Sequence, residues 1–260
     1  MRLTRREFAL SIGAGALLGQ AARASDVPVI AVASDLSFAI TEVAQAFTAE
    51  TGQDVRITLG ATGNFARQIR AGAPFQMFMA ADESFVQGLA AEALTRDTGV
   101  LYAEGRVSII VPEGSALQAD GGLEDLRRAL AEGRVSRFAI ANPDHAPYGQ
   151  RAKEALQHAG LWDAIQPHLV LGENVAQAAQ FAMSGNTEGG LIAHSLALAP
   201  ELATRGTSAL VPAEWHNPLL QRMVLLTSAG AVAEAFYAYI QTDAAKGILA
   251  RYGFSLPQEG

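Results

Sequence analysis

From Pro28 onward the chain alternates short unbroken apolar runs with longer segments whose apolar positions recur every three or four residues. The first run, VIAVAS, has the character of a strand buried on both faces. The segment behind it, DLSFAITEVAQAFTAETG, places Leu36, Ala39, Ile40, Val43 and Phe47 on one helical face and ends at Gly52. The alternation then repeats. VRITLGA predicts a strand and NFARQIRAG a helix, FQMFMAA a strand and SFVQGLAAEAL a helix. GRVSIIVP, from Gly105 to Pro112, is a strand that a polar stretch follows.

A second series comes after it. LEDLRRALAEG predicts a helix, RFAIANP a strand, YGQRAKEALQHAG a helix stopping at Gly160, LVLGE a strand and NVAQAAQFAMSG a helix. GGLIAHSLA begins as a strand, a polar region surrounds Ala203–Ser208, and LLQRMVLLT returns as a strand. The closing AVAEAFYAYIQTDAAKGILARYGF reads as one helical segment. Strands alternating with helices in this way predict an α/β fold with mostly parallel sheets.

The amino-terminal pattern is different. Arg5-Arg6 precedes an apolar stretch from about Phe8 to Leu18 and a small-x-small site at Ala22-Arg23-Ala24. That stretch is too short and glycine-rich to span a membrane and predicts an export signal, of the twin-arginine type, at residues 1–24. The expected mature protein starts near Ser25, in the periplasm. Residues 1–24 hold four arginines and one glutamate, so 15 of 19 basic and 25 of 26 acidic side chains remain, a net charge of −10. With no basic run, nucleic acid and anionic membrane are poor partners. The absence of cysteine excludes disulfides, thiolate metal sites and a lipid-anchored cysteine.

Candidate chemistry gathers at four strand-to-helix junctions. They are Ser34-Asp35 after VIAVA, Thr62-Gly63 after LGA, Pro147-Tyr148 after NPDHA, and Asn174-Val175 after LGE. Asn174 predicts an N-cap, Val175 the first helical residue and Pro147 a helix start. A helix start leaves about four N–H groups unpartnered and carries roughly half a positive charge, so it attracts anions without lysine or arginine. Two junctions fall in each series. If the series are two lobes, the four ends converge on one cleft, with hydroxyls of Ser34, Thr62 and Tyr148 beside the amides. Hydrogen bonds to a charged group contribute about 1.5–3 kcal/mol each, so a handful reaches micromolar affinity after desolvation. Taken singly, each junction is also an ordinary cap.

At these same residues the chain resembles the periplasmic molybdate-binding proteins of ABC transporters, the ModA family. ARQI-x-x-GAP and NP-x-HAPYG-x-x-AKEAL carry the resemblance, and it extends along the mature chain in order. It implies a type II periplasmic binding protein: two α/β lobes joined by crossing strands, lobe 1 spanning 26–108 and 209–260 and lobe 2 spanning 109–208. It also implies no catalysis, no cofactor, a monomer, and delivery of molybdate, with tungstate as a second ligand, to a permease and its ATPase. Carried over by position, the oxyanion ligands are Ser34, Asp35, Thr62, Tyr148 and Val175, with Gly63, Asn174 and Arg67 behind them. Molybdenum enters only as the oxyanion, with no bare metal site.

One departure stands out. Where the tyrosine-bearing branch of the family can have asparagine, this chain has Asp35. An ionised carboxylate aimed at a dianion repels it, so Asp35 is expected to turn away, capping its helix and offering only its N–H. Arg67 is expected beside the cleft or paired with a carboxylate, His145 on a surface loop, and Trp162 and Trp215 in packing. The competing readings are a binding protein for sulfate, phosphate or ferric ion, and an exported hydrolase with Ser34 or Thr62 as nucleophile.

Overall fold

The computed structural model describes residues 27–255, so the expected export signal lies outside the described residues. Two five-stranded sheets form the frame. The first holds β1 (Val29–Ala33), β2 (Arg56–Gly60), β3 (Met77–Ala80), β4 (Val100–Gly105) and β10 (Leu219–Leu225), in the order β2-β1-β3-β10-β4. The second holds β5 (Val107–Pro112), β6 (Phe138–Ala141), β7 (Leu169–Gly172), β8 (Gly190–Ala193) and β9 (Gly206–Leu210), in the order β7-β6-β8-β5-β9.

Both sheets follow one plan. In the first, β1 pairs in parallel with β2 and β3, and β10 runs antiparallel to β3 and β4. In the second, β6 pairs in parallel with β7 and β8, and β5 runs antiparallel to β8 and β9. The sheets are therefore mixed and not mostly parallel. Parallel neighbours need a returning crossover. At Arg106 the chain instead steps directly from the first sheet to the second, and it returns between Leu210 and Leu219. The boundaries expected at 108/109 and 208/209 fall inside β5 and β9. Strands β4 and β9, unrecognised in the sequence, pair only at sheet edges.

Helices α1 (Ser37–Thr51), α2 (Thr62–Arg70) and α3 (Glu83–Ala91) follow the first three strands. The second lobe carries α4 (Glu124–Ala131), α5 (Pro147–His158), α6 (Trp162–Ile165), α7 (Val175–Ala182), α8 (His194–Ala197) and α9 (Pro200–Ala203). The first lobe is completed by α10 (Ala231–Ile240) and α11 (Asp243–Arg251). The closing segment is thus two helices, and Thr242 caps the second by accepting from the Ala245 amide.

The apolar face of α1 packs as its spacing predicts: Leu36, Ala39, Ile40, Val43 and Phe47 are all buried. Phe47 meets Phe236 and Tyr239 edge-on, at centroid distances of 5.1 and 5.5 Å. Burying one such side chain contributes about 1.5–3 kcal/mol. The two lobes are in contact. Ala33, Ala61 and Ala81, at the carboxyl ends of β1, β2 and β3, join the same apolar cluster as Phe138, Tyr148 and Val175 of the second lobe. Small side chains there let the strand ends of one lobe approach the helix starts of the other.

Candidate functional site

A small cavity lies where the lobes meet. Ser34, Asp35 and Thr62 line it from the first lobe, and Tyr148 and Val175 from the second, with alanines and Pro147 between them. Its lining holds one acidic side chain and no basic one. It is far smaller than the roughly 300–1,000 Å³ pockets that hold drug-sized ligands.

Local sequence explains how each residue arrives there. Asn174 caps α7, its side chain accepting from the Gln177 amide at 3.0 Å, and this places Val175 at the first helical position. Pro147 occupies the first position of α5 with Tyr148 behind it. Thr62 is the first residue of α2, and Ala61 holds the cap position. Ser34 and Asp35 form a short 3-10 turn before α1.

The hydroxyls are held in distinct ways. Thr62 Oγ1 accepts from the Ala81 amide at 3.1 Å, and Ser34 Oγ accepts from the Ala176 amide across the cleft at 3.3 Å. Each oxygen is fixed as an acceptor, which leaves its own O–H to donate to a guest. Tyr148 departs from expectation. Its hydroxyl donates to Asp35 Oδ2 at 3.1 Å and accepts from Gln221 Nε2 at 3.2 Å, so its one proton is already committed.

Asp35 also corrects the sequence reading. It does not turn away, and no side-chain cap bond starts either the 3-10 turn or α1. Its side chain is buried, and Oδ2 accepts from Tyr148 and, at 2.5 Å, from Gln221 Nε2. Tyr102 holds Gln221 in place by donating to its Oε1 at 2.7 Å. Two neutral donors thus keep the carboxyl inside where the helix start alone was expected to hold it. Burial pushes the Asp35 carboxyl up to about 6, against the opposing pull of the Gln221 and Tyr148 hydrogen bonds and the amides of Asp35 and Leu36. Burial, reinforced by the nearby carboxyl, drives both phenols well above their ordinary value, so Tyr102 and Tyr148 stay neutral donors.

The residues placed behind the site do not line the cavity. The Gly63 amide donates across the cleft to the carbonyl of His145 at 3.0 Å. Arg67 is exposed and bonds Asn64, not a carboxylate, and Asn64 in turn bonds Glu173 of the other lobe. His145 is not a surface side chain: it is 10% exposed, and its ring meets the Glu173 carbonyl at 2.9 Å. Trp215 stacks on His158, and Trp162 lies beneath the Lys153 ammonium. Gln221, Tyr102 and Ser195 went unrecognised in the sequence; Ser195 Oγ donates to the Asp35 carbonyl across the cleft at 2.8 Å. The one signal for Gln221 was a polar residue inside the apolar strand run LLQRMVLL.

Neither candidate nucleophile is activated. The oxygens of Ser34 and Thr62 engage backbone amides and not a general base. Two mixed sheets meeting at a small cavity lined by hydroxyls, a phenol and one carboxyl give the frame of a solute-binding protein.

Comparison with known proteins agrees. The family description "Bacterial extracellular solute-binding protein" matches residues 28–255. The molybdate-binding protein ModA of Azotobacter vinelandii is 33% identical over 259 residues, covering 98% of this chain and 100% of that protein. ModA of Rhodobacter capsulatus is 32% identical over 259 residues, covering 97% and 99%. The solved structure of the Azotobacter vinelandii periplasmic molybdate-binding protein has a TM-score of 0.79 at 27% identity, covering 89% of this chain and 100% of that one. The chain belongs to the ModA family of extracellular solute-binding proteins.

Proposed function

We propose that this protein captures molybdate, and tungstate by the same contacts, in the cavity between its lobes and presents it to an ABC transporter permease and its ATPase. The observation that carries this reading is the meeting of Ser34 and Thr62 with Tyr148 and Val175, from opposite lobes, around one cavity without a basic side chain. Oriented amides and hydroxyls replace the hydration of an anion there, and the starts of α2, α5 and α7 add their dipoles. The names of the relatives support the choice of molybdate. The protein works in the periplasm, after removal of an export signal near Ala24, and as a monomer. It needs no cofactor.

Sulfate and phosphate are the competing guests. A larger tetrahedral anion lets donors from both lobes reach its oxygens together, and the cavity discriminates on that basis. A ferric ion is disfavoured by the lining, which offers one carboxyl and one phenol.

Thermal denaturation with molybdate, tungstate, sulfate, phosphate and ferric citrate tests the assignment. A bound guest stabilises the folded state by about 2.7 kcal/mol at a hundredfold excess over Kd. Stabilisation by molybdate and tungstate is expected. A shift with ferric citrate and none with either anion overturns the assignment.

A further inference from the structure

We propose that the cavity takes up its oxyanion together with one proton, which the Asp35 side chain holds against the guest. The inference rests on the reading of this cavity as an oxyanion site. Three observations carry it. Asp35 is 1% exposed and lines the cavity. Its Oδ2 accepts from Tyr148 and Gln221, whereas no donor reaches its equally buried Oδ1 within hydrogen-bond geometry, the Asp35 and Leu36 amides pulling on the carboxyl from beyond it. The groups around it are all uncharged near neutrality: Tyr148 from α5, Gln221 from β10, Tyr102 from β4 beyond Gln221, and Ser195 from α8 on its backbone carbonyl.

An ionised Asp35 beside a dianion gathers three negative charges in a site that no cation lines. Like charges at such range disfavour ionisation, and burial adds to the effect. A proton from solvent resolves both problems. On Oδ1 it turns an orphaned acceptor into a donor for a guest oxygen. On Oδ2 it reverses the hydrogen bond to Tyr148 and releases the phenolic O–H toward the cavity. Either placement removes the repulsion and adds one donor. Only an O–H bond forms, so one anion and one proton enter for each site filled. In the empty site burial already holds this carboxyl at about 6, so the proton is taken at little cost near neutrality. An asparagine in this place donates without taking up a proton, and Asp35→Asn is therefore the discriminating variant.

The test is calorimetric titration of the protein with sodium molybdate and sodium tungstate from about pH 6 to about pH 9, in two buffers of different ionisation enthalpy. Kd should rise about tenfold per pH unit in the upper part of this range, with about one proton taken up per anion. Asp35→Asn should bind with a flat profile and no proton uptake. His145→Gln, which removes the imidazole that meets Glu173 across from Gly63, should keep the slope. A flat profile in the unaltered protein overturns the proposal, and so does a slope that survives Asp35→Asn or disappears with His145→Gln. The unaltered protein alone decides if Asp35→Asn does not fold. Failure to bind either anion at any pH is a different result: it removes the assignment of the cavity itself.

Discussion

Gly63 and His145 meet across the cleft with no room between them. The Gly63 amide donates to the His145 carbonyl at 3.0 Å, and a Cβ on Gly63 would stand 2.6 Å from that same oxygen. The contact exists only when the lobes are together, and only a residue without a side chain permits it. Gly63→Ala should therefore hold the cleft ajar while leaving α2 intact, since alanine is the better helix former by about 1 kcal/mol. The expected result is oxyanion binding at least about tenfold weaker, or about 1.4 kcal/mol, with an unchanged or slightly raised melting temperature in the absence of ligand. Calorimetry and thermal denaturation measure the two halves of this prediction.

Arg151 and Asp82 form an ion pair between the lobes, at 2.5 Å and with both side chains largely buried. Arg151 also holds Glu154 at 2.7 Å. Removing one partner of a buried pair leaves an uncompensated charge and costs about 3–5 kcal/mol. Asp82 keeps the Ser84 amide and hydroxyl as donors, so Arg151→Met should fall at the lower end, about 3 kcal/mol. Urea denaturation should also show the double variant with Asp82→Asn costing less than the sum of the single ones.

Ser34 and Thr62 place their oxygens by accepting from amides, and their hydrogens remain for the guest. Ser34→Ala and Thr62→Ala should each weaken molybdate binding by about 1.5–3 kcal/mol, roughly 10- to 100-fold. An effect below threefold for both variants would place the anion elsewhere.

The buried Asp35 carboxyl also shapes stability without ligand. Its folded value of about 6 lies above the ordinary carboxylate value of 3.8. The folded state therefore holds the proton more tightly than the unfolded chain. The stabilising contribution is fully present below the unfolded value and is lost as pH rises through about 6, a difference of about 3 kcal/mol. The ligand-free protein should accordingly lose stability between about pH 4 and pH 7 through this group. Asp35→Asn should remove that part of the decline. Chemical denaturation across this range, on both proteins, checks the sign.

What the sequence disclosed depended on how far apart the interacting residues lie. Asn174 caps an amide three residues on, and Pro147 starts α5 by its own ring, so both were legible from local pattern. The apolar face of α1 was legible for the same reason. Thr62 was read as part of a helix start, but the service its hydroxyl performs, fixing the Ala81 amide, lies nineteen residues away. The orientation of Asp35 could not be read at all: it is set by Tyr148 and Gln221, 113 and 186 residues further along. No local rule reports such partners, and the capping rule that did apply gave the wrong direction. Strands β4 and β9 escaped for a different reason. Each pairs on one side only, and a segment such as GTSAL, mostly exposed or half-exposed, carries too weak an alternation to separate it from loop.

The order in which the sheets draw on the chain has a consequence for biosynthesis. The second sheet is complete once the ribosome has released residues 107–210, an uninterrupted stretch. The first must wait for β10, which inserts between β3 and β4 and carries Gln221 with it. A nascent product stopped after Leu210 would retain every strand of one half, while β4 lacked its neighbour and the Asp35 carboxyl lacked one of its two escorts. The amino-terminal half is thus the last to mature, and a carboxyl that lines the cleft is among the last groups to be secured.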